Sequence, residues 1–143
     1  MTRELPTSLL LFMAHRAAED EIFAAVAAAG HGGITRAQGR LLAGIDEGGT
    51  RVGLLAERAR VAKQTAVSLV DHLVAAGYVQ RVPDPSDGRA RLVRLTAEGE
   101  SVLPATRAGE ESVESAWRDL LGDRRLGELR TSLERILAES PPS

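Results

Sequence analysis

Residues 62–99 read AKQTAVSLVDHLVAAGYVQRVPDPSDGRARLVRLTAEG, and two different hydrophobic periodicities follow each other within them. In the first half, apolar residues recur at helical spacing, which places several of them on one stripe. This stripe consists of Ala66, Leu69, Val70 and Leu73. In the second half, short β-prone runs flank a turn rich in Pro, Asp and Gly. The stretch therefore predicts a helix over about 62–76 and a β-hairpin over about 79–95.

A further short helix is predicted immediately upstream, at about 53–59. Only Arg60 and Val61 separate it from the helix over 62–76, and so short a connection leaves room only for a tight turn. Two helices joined in this way make a helix-turn-helix unit, and a cationic hairpin that follows such a unit is a wing. We therefore expect a mostly α fold with a small β-hairpin wing, that is, an α+β winged helix-turn-helix.

Long helices are predicted on both sides of this module. The first covers about 9–29, and the later ones cover about 96–121, with a kink at Pro104, and about 124–138. Their apolar surface exceeds what one compact module needs, so a single chain would leave part of it exposed to water. This excess of apolar surface predicts a dimer.

The charge of the chain is unevenly distributed. The whole chain carries a net charge of −2, whereas residues 51–99 alone carry +3. A basic segment within an acidic chain is expected when one face of a protein meets a polyanion such as a nucleic acid. A difference of a few charges over a segment of this length also arises by chance, so it does not identify the partner by itself.

Several function classes are excluded by what the sequence lacks. There is no cysteine, which removes disulfides, thiolate chemistry and Cys-based metal sites. His15, His31 and His72 lie on separate segments without acids at metal-ligand spacing, and no glycine-rich phosphate loop follows a strand. His31 is expected in a solvated loop. We expect neither an enzyme nor a bound metal or cofactor.

No targeting or membrane segment is visible in the sequence. The longest apolar run near the start, residues 9–14, is too short to span a bilayer, and charged residues follow it. The sequence therefore predicts a cytoplasmic protein without membrane contact.

The outer face of the helix over 62–76 is small and polar. A helix with such side chains seats deeply in the major groove, where Gln64 can pair with adenine and Val67 can touch a thymine methyl group. In the hairpin, Arg89 is placed to enter a narrow minor groove, with Asp87 two residues earlier to steady it. The alternatives are an ordinary solvated helix face and an acidic turn residue.

Four short motifs lie in order along this part of the chain. They are LVDHL at 69–73, GYVQR at 77–81, DGRA at 87–90 and LTAEG at 95–99. In sequence and spacing they resemble the MarR family of bacterial transcription regulators, and the predicted flanking helices follow the order found in that family. The resemblance implies a homodimer whose two winged lobes bind a palindromic operator in double-stranded DNA.

The resemblance also implies a division of roles along the chain. Within a single domain over 1–143, the helices of 1–34 and 100–143 would form the dimer, and 35–99 would form the DNA-binding lobe. Carried over by position, the DNA-binding residues are Arg60, Lys63, Gln64, Thr65, Val67, Ser68, His72, Asp87, Arg89 and Arg91. Many family members have Arg where this chain has Ser68 and His72, so its non-specific affinity for DNA is expected to be lower.

A small effector is a further expectation from the resemblance. Regulators of this family are often repressors that an aromatic or phenolic carboxylate releases from DNA. Met13, His15 and Arg16 on the first helix would line the effector site, with Arg16 facing the carboxylate. A solvated arginine on an amphipathic helix is the alternative. Because the chain has no cysteine, the switch is not thiol oxidation.

A second function class remains open at this point. The chain could be a helical dimer that uses the winged module for protein contacts, without specific DNA binding. The two classes differ in salt dependence, because binding to DNA releases counterions and therefore weakens steeply as the salt concentration rises.

Overall fold

The computed structural model describes residues 3–140 and consists of helices with one β-hairpin. The α-helices are α1 (Thr7–Val26), which continues into a short π-helical stretch (Ala27–His31), α2 (Arg36–Ala43), α3 (Val52–Ala59), α4 (Lys63–Ala75), α5 (Ala97–Glu100) and α6 (Leu103–Glu139). The strands are β1 (Val79–Asp84) and β2 (Asp87–Leu95). The predicted fold class, mostly α with a small hairpin wing, is therefore confirmed.

The chain forms two compact units. Residues 31–104 form the winged lobe, which contains α2 to α5 and the hairpin. The helical unit combines residues 3–30 with 105–140, and it contains α1 and most of α6. The limits of the winged lobe lie a few residues outside the predicted range of 35–99, and the roles assigned to the two parts remain predictions.

The core of the winged lobe is built by α2, α3 and α4. Thr35 begins α2 through a capping box, in which its hydroxyl accepts from the Gln38 amide while the Gln38 side chain accepts from the Thr35 amide. The buried apolar side chains include Leu41, Leu55, Ala66, Val70 and Leu73. Each fully buried Leu or Val contributes about 2 kcal/mol. The stripe predicted for α4 thus faces the core, although Leu69 is only half-buried.

A tight turn joins α3 to α4, as the short connection predicts. Arg60 ends α3 in the left-handed conformation, with φ 57° and ψ 46°. The amide of Val61 then bonds to the Ala56 carbonyl at 3.0 Å. Among the described residues, Arg60 is the one non-glycine residue with positive φ. The turn therefore depends on a conformation that an L-residue adopts at some cost.

The hairpin is a two-stranded antiparallel sheet. Its register runs from Val79 opposite Leu95 to Asp84 opposite Asp87, with an irregularity between Pro83 and Asp84. Only residues 85–86 lie between the strands, so the turn is as short as an antiparallel pair permits. Such a hairpin is marginally stable alone and needs further contacts.

One of these contacts is a backbone bridge to the loop that precedes α3. The amide of Thr50 donates to the Val93 carbonyl at 2.9 Å, and the amide of Val93 donates back to the Thr50 carbonyl at 2.8 Å. Thr50 is buried, and its hydroxyl accepts from the Asp46 amide at 2.8 Å. The bridge therefore fixes β2 to the helix-turn-helix.

The start of α5 explains the LTAEG motif. The Thr96 hydroxyl accepts from the Gly99 amide at 3.1 Å, which caps the helix, and the Thr96 amide donates to the Tyr78 carbonyl at 3.0 Å. A Cβ atom on Gly99 would overlap the Tyr78 carbonyl oxygen. Position 99 therefore requires glycine, because any side chain would push α5 away from the hairpin.

In the helical unit, α1 and α6 approach each other closely at Gly109. A Cβ atom on Gly109 would lie 2.8 Å from the Ile22 Cα, so the two helix backbones meet at this glycine. Val26 and Val113 are buried, and the Ser112 hydroxyl donates to the Glu21 carboxylate at 2.8 Å.

The continuous helix predicted over 96–121 is wrong at one point. The helical path stops after Glu100 and resumes at Leu103, so the break precedes Pro104 and no kink lies at the proline. Pro104 instead lies in the first turn of α6, where the missing N–H leaves no helical hydrogen bond unmade. A second break lies at Gly122, with φ 82° and ψ 160°, where the sequence predicts an end to the helix.

Large apolar side chains of the helical unit remain exposed. They include Leu9, Leu10, Leu11, Phe12 and Met13 in α1, and Leu120, Ile136 and Leu137 in α6. Phe12 is 57% exposed and Leu137 is 68% exposed, which is unusual for residues of this size. Within residues 3–140, no helix is both long and apolar enough to cross a membrane.

Candidate nucleic-acid interface

The exposed face of α4 carries the polar side chains that the sequence places there. Lys63, Gln64, Thr65 and Ser68 are all exposed. Ala66 and Val70 are buried on the other side of the helix, so these four side chains point away from the core. Val67 is half-buried at the edge of the face. The first two turns of α4 are therefore open to a partner.

Further along α4, His72 bonds to the helix backbone, whereas Asp71 is paired with an arginine of β1. The His72 Nδ1 donates to the Ser68 carbonyl at 2.8 Å, so its exposed Nε2 is the ring nitrogen available to a partner. Asp71 also lies on the outer face, but Nη2 of Arg81 in β1 donates to its carboxylate at 2.5 Å. The ion pair offsets the one acidic charge on this face.

In the hairpin, Asp87 contacts the backbone of Arg89. Its Oδ1 accepts from the Arg89 amide at 3.1 Å, while its Oδ2 lies 3.7 Å from Nη2 of Arg51. The guanidinium of Arg89 is left exposed in β2, together with that of Arg91. The acid thus steadies the chain at Arg89 and leaves the cationic side chain available.

Arg51 and Asp84 form an ion pair that the sequence analysis missed. Nε and Nη2 of Arg51 both donate to Oδ2 of Asp84, at 2.9 and 2.8 Å. Oδ1 of Asp84 accepts from the Ser86 hydroxyl at 2.7 Å and from the Ser86 amide at 2.9 Å. These two bonds from Ser86, and then the Arg51 guanidinium, lower the pKa of Asp84 from 3.8 to about 2.

Of the contacts among Arg51, Asp84 and Ser86, only the local turn at 84–86 is indicated by a sequence pattern. An Asp followed two residues later by Ser favours the local turn seen at 84–86, because the carboxylate accepts from the later amide. Arg51 is separated from Asp84 by 33 positions, and no local pattern connects them. The same holds for the bridge between Thr50 and Val93.

Four of the predicted DNA-binding residues are exposed cations without an ion pair in the part of the chain that the structure describes. They are Arg60, Lys63, Arg89 and Arg91. By contrast, Arg51, Arg58 and Arg81 of the same lobe are each paired with a carboxylate. The cations of the lobe therefore fall into two groups. Some arginines form ion pairs within the lobe, and other cations are available to an anionic partner.

The candidate effector residues lie on the exposed surface of α1. Met13 is 50% exposed, and Arg16 is also exposed. His15 is exposed, and its Nε2 lies 3.3 Å from Oε2 of the buried Glu19 on the next helical turn. Their part in an effector site stays a prediction.

His31 is not in a solvated loop, and that expectation is wrong. Its side chain is buried, and Nδ1 lies 3.0 Å from the Tyr78 hydroxyl and 3.8 Å from Oε1 of Glu98. The two rings meet edge to face with centroids 5.6 Å apart. Its loop composition did not reveal this contact, because Tyr78 is distant in sequence.

Sequence comparisons place the winged lobe among transcriptional regulators. The model of the MarR family matches residues 32–90. An uncharacterized HTH-type transcriptional regulator of Mycobacterium leprae is 36% identical over 100 residues, which cover 67% of this chain and 69% of that protein. The transcriptional activatory protein BadR of Rhodopseudomonas palustris is 29% identical over 89 residues, which cover 62% of this chain and 50% of that protein. The match thus spans about half the length of BadR.

Solved structures share the fold over nearly the whole chain. A transcriptional regulator of Thermotoga maritima superimposes with a TM-score of 0.68 and 30% identity, over 96% of this chain and 100% of that chain. NadR, solved in complex with 4-hydroxyphenylacetate, superimposes with a TM-score of 0.73 and 21% identity, over 98% of both chains.

Proposed function

Because the chain belongs to the MarR family of transcriptional regulators, we propose that it is a homodimeric repressor that binds a palindromic operator in double-stranded DNA. Members of this family are regulators and not enzymes. In this proposal, α4 enters the major groove and the hairpin enters the adjacent minor groove, in the cytoplasm of a bacterium.

The observation that carries the proposal is the set of free cations in the winged lobe. Lys63 is the first residue of α4, Arg60 lies in the turn before it, and Arg89 and Arg91 lie on the hairpin. Cations without carboxylate partners are available to phosphate oxygens, and an Arg at the end of a hairpin fits a narrow minor groove. Gln64, Thr65, Val67 and Ser68 supply the small or polar contacts that read base edges.

The exposed apolar side chains of the helical unit support the homodimer. Exposed apolar side chains such as Phe12 and Met13 in α1 and Ile136 and Leu137 in α6 are costly in water and are expected to be covered by a second chain. Two-fold symmetry then requires two equivalent half-sites, and docking of both lobes on one face of the DNA would place them about 34 Å apart, which is one helical turn.

An aromatic carboxylate is the proposed effector. NadR was solved with 4-hydroxyphenylacetate, and the same chemical class would need a cation and an apolar wall. In this chain Arg16 supplies the cation and Met13 the apolar contact, with His15 beside them.

Activation is a second candidate for the direction of regulation. BadR is described as a transcriptional activatory protein, whereas repression follows from the family resemblance. A reporter fused to the promoter that carries the operator separates the two, since deletion of the regulator raises expression for a repressor and lowers it for an activator.

DNA binding is tested by fluorescence anisotropy with the duplex upstream of the regulator's own gene. The wild type is expected to bind with an affinity that falls steeply with salt, and Arg89→Ala to weaken binding about tenfold without changing the melting temperature. Arg124→Ala on α6 removes the same charge at a 91% exposed site and serves as the control.

The alternative function, protein contact through the winged module, predicts a different result. Binding to this duplex would then be weak, independent of sequence, and unchanged by Arg89→Ala. A selection from a random pool of duplexes provides a second probe, and failure to enrich any sequence contradicts the proposed function.

A further inference from the structure

Arg51 connects the helix-turn-helix to the end of the hairpin. It is the residue before the first turn of α3, and its side chain reaches the last residue pair of the sheet, Asp84 and Asp87. Both donors of the guanidinium edge bond to Asp84, and Nη2 lies 3.7 Å from Asp87. A single arginine therefore holds both carboxylates that flank the turn.

The contacts continue from these carboxylates to Arg89. Asp84 is buried and receives the Ser86 hydroxyl and amide on its second oxygen, so the turn is fixed from inside. Asp87 receives the amide of Arg89 on its second oxygen. An unbroken series of polar contacts thus runs from the start of α3 to the backbone that carries the Arg89 side chain.

The charges in this cluster separate Arg51 from the free cations. Its guanidinium faces two carboxylates, so the three groups together carry one negative charge. A phosphate oxygen would have to compete with both acids for the same donors. Arg51 is therefore suited to holding protein structure and not to binding the DNA backbone.

We propose that Arg51 is a positioning residue for the wing, which holds the turn at 84–87 so that Arg89 is preorganised for the minor groove. This inference rests on the proposed function. An unattached two-residue hairpin end would sample many orientations, and ordering it on binding would reduce affinity. The fixed turn removes that cost before DNA arrives.

The test uses a duplex that the wild type selects from a random pool, with Arg51→Gln, Asp84→Asn and the double variant. Each single change is expected to weaken binding about tenfold, and the double variant no more than either one, because both break the same contact. Preference for A·T pairs at the wing position is lost to the same degree as in Arg89→Ala.

The direction in which Asp84→Asn changes DNA affinity distinguishes a positioning role from simple electrostatics. Removal of an acid next to DNA favours binding on electrostatic grounds alone, so a loss of affinity must come from a mispositioned wing. Arg58→Gln is the matched control, because it removes an ion-paired arginine from α3 that faces Asp46 and not the hairpin. It is expected to leave affinity unchanged.

A measurement without DNA keeps the inference testable if a variant folds poorly. In the free protein, the backbone amide of Arg89 is expected to gain fast motion in Arg51→Gln, seen as a reduced heteronuclear NOE, and Arg51→Lys is expected to restore it in part. Melting curves confirm that the rest of the lobe remains folded.

Three outcomes overturn the inference. The first is tighter binding by Asp84→Asn together with weaker binding by Arg51→Gln. The second is a decrease of about 0.9, in Arg51→Gln, in the steepness with which the logarithm of affinity falls with the logarithm of salt concentration. Both results indicate that Arg51 contacts a phosphate directly. The third is unchanged binding by both variants. If the wild type selects no sequence at all, the proposed function fails first, which is a separate result.

Discussion

Asp71 on α4 accepts a 2.5 Å hydrogen bond from Arg81 on β1, so an acid on the exposed helix face is neutralised by the neighbouring strand. The pair keeps the carboxylate from repelling a phosphate backbone. It also keeps Arg81, which is 37% exposed, from acting as a further phosphate-binding cation. The ion pair thus limits the unpaired charge on this face of the lobe.

Asp71→Asn should strengthen non-specific binding. The change removes one acid and frees Arg81, so affinity for an unrelated duplex at low salt should rise. The slope of the logarithm of affinity against the logarithm of salt concentration should become steeper by about 0.9. Anisotropy titrations over a series of salt concentrations measure both quantities. Asp119→Asn, an exposed acid on α6, makes the same charge change elsewhere and should alter neither.

Gly99→Ala should destabilise the winged lobe strongly. The added methyl group overlaps the Tyr78 carbonyl oxygen, so α5 or the start of the hairpin must shift, at a cost of about 3 kcal/mol. Urea denaturation followed by circular dichroism measures the change. Gly127→Ala in α6 meets no atom within 4 Å and should be neutral or stabilising. Equal stability of the two variants would contradict the close approach.

The Asp84 cluster predicts a specific dependence of stability on pH. Folding lowers the pKa of Asp84 from 3.8 to about 2, so its contribution is fully present above the higher value and is lost as the pH falls towards the lower one. Asp84→Asn should therefore melt at a lower temperature than the wild type at neutral pH, and the gap should narrow below pH 3.8. If the difference in melting temperature stays constant through this range, the charge of the Asp84 carboxylate is not responsible for its contribution to stability.

Phe12→Asp should shift the protein towards the monomer. Phe12 is 57% exposed in the single chain, and a charge placed inside a covered apolar patch would be desolvated. Sedimentation at micromolar concentration measures the assembly, and the melting temperature of the wild type should rise with concentration. Gln80→Asp on the exposed side of β1 adds the same charge and should remain dimeric. A stable, folded wild-type monomer would contradict the homodimer.

The parts of the fold that local patterns encode were predicted well. The helical stripe of Ala66, Val70 and Leu73 located α4, and the turn residues after Val82 located the hairpin, since each pattern lies within a few residues. The break before Pro104 was misplaced, because a proline fits the first turn of a helix as well as a kink.

The candidate site was only partly accessible to the same reasoning. Polar residues on the outer face of α4 follow from helical geometry, and the structure places them on the surface. The pairs Arg51 with Asp84 and His31 with Tyr78 join positions far apart in the chain, so their existence depends on tertiary packing. Sequence patterns predicted exposed residues that we propose contact DNA, and they missed the long-range contacts that fix the surrounding structure.

The bridge between Thr50 and Val93 has a consequence for hydrogen exchange. Each amide is protected by its hydrogen bond to the carbonyl of the other residue, 43 positions away in the chain. Neither bond belongs to a helix or joins the two strands of the hairpin. Fraying of the hairpin end leaves both bonds intact, so these amides are expected to exchange only when the lobe opens as a whole. They would then report its global unfolding free energy, whereas the amides near Ser86 would report local opening of the turn.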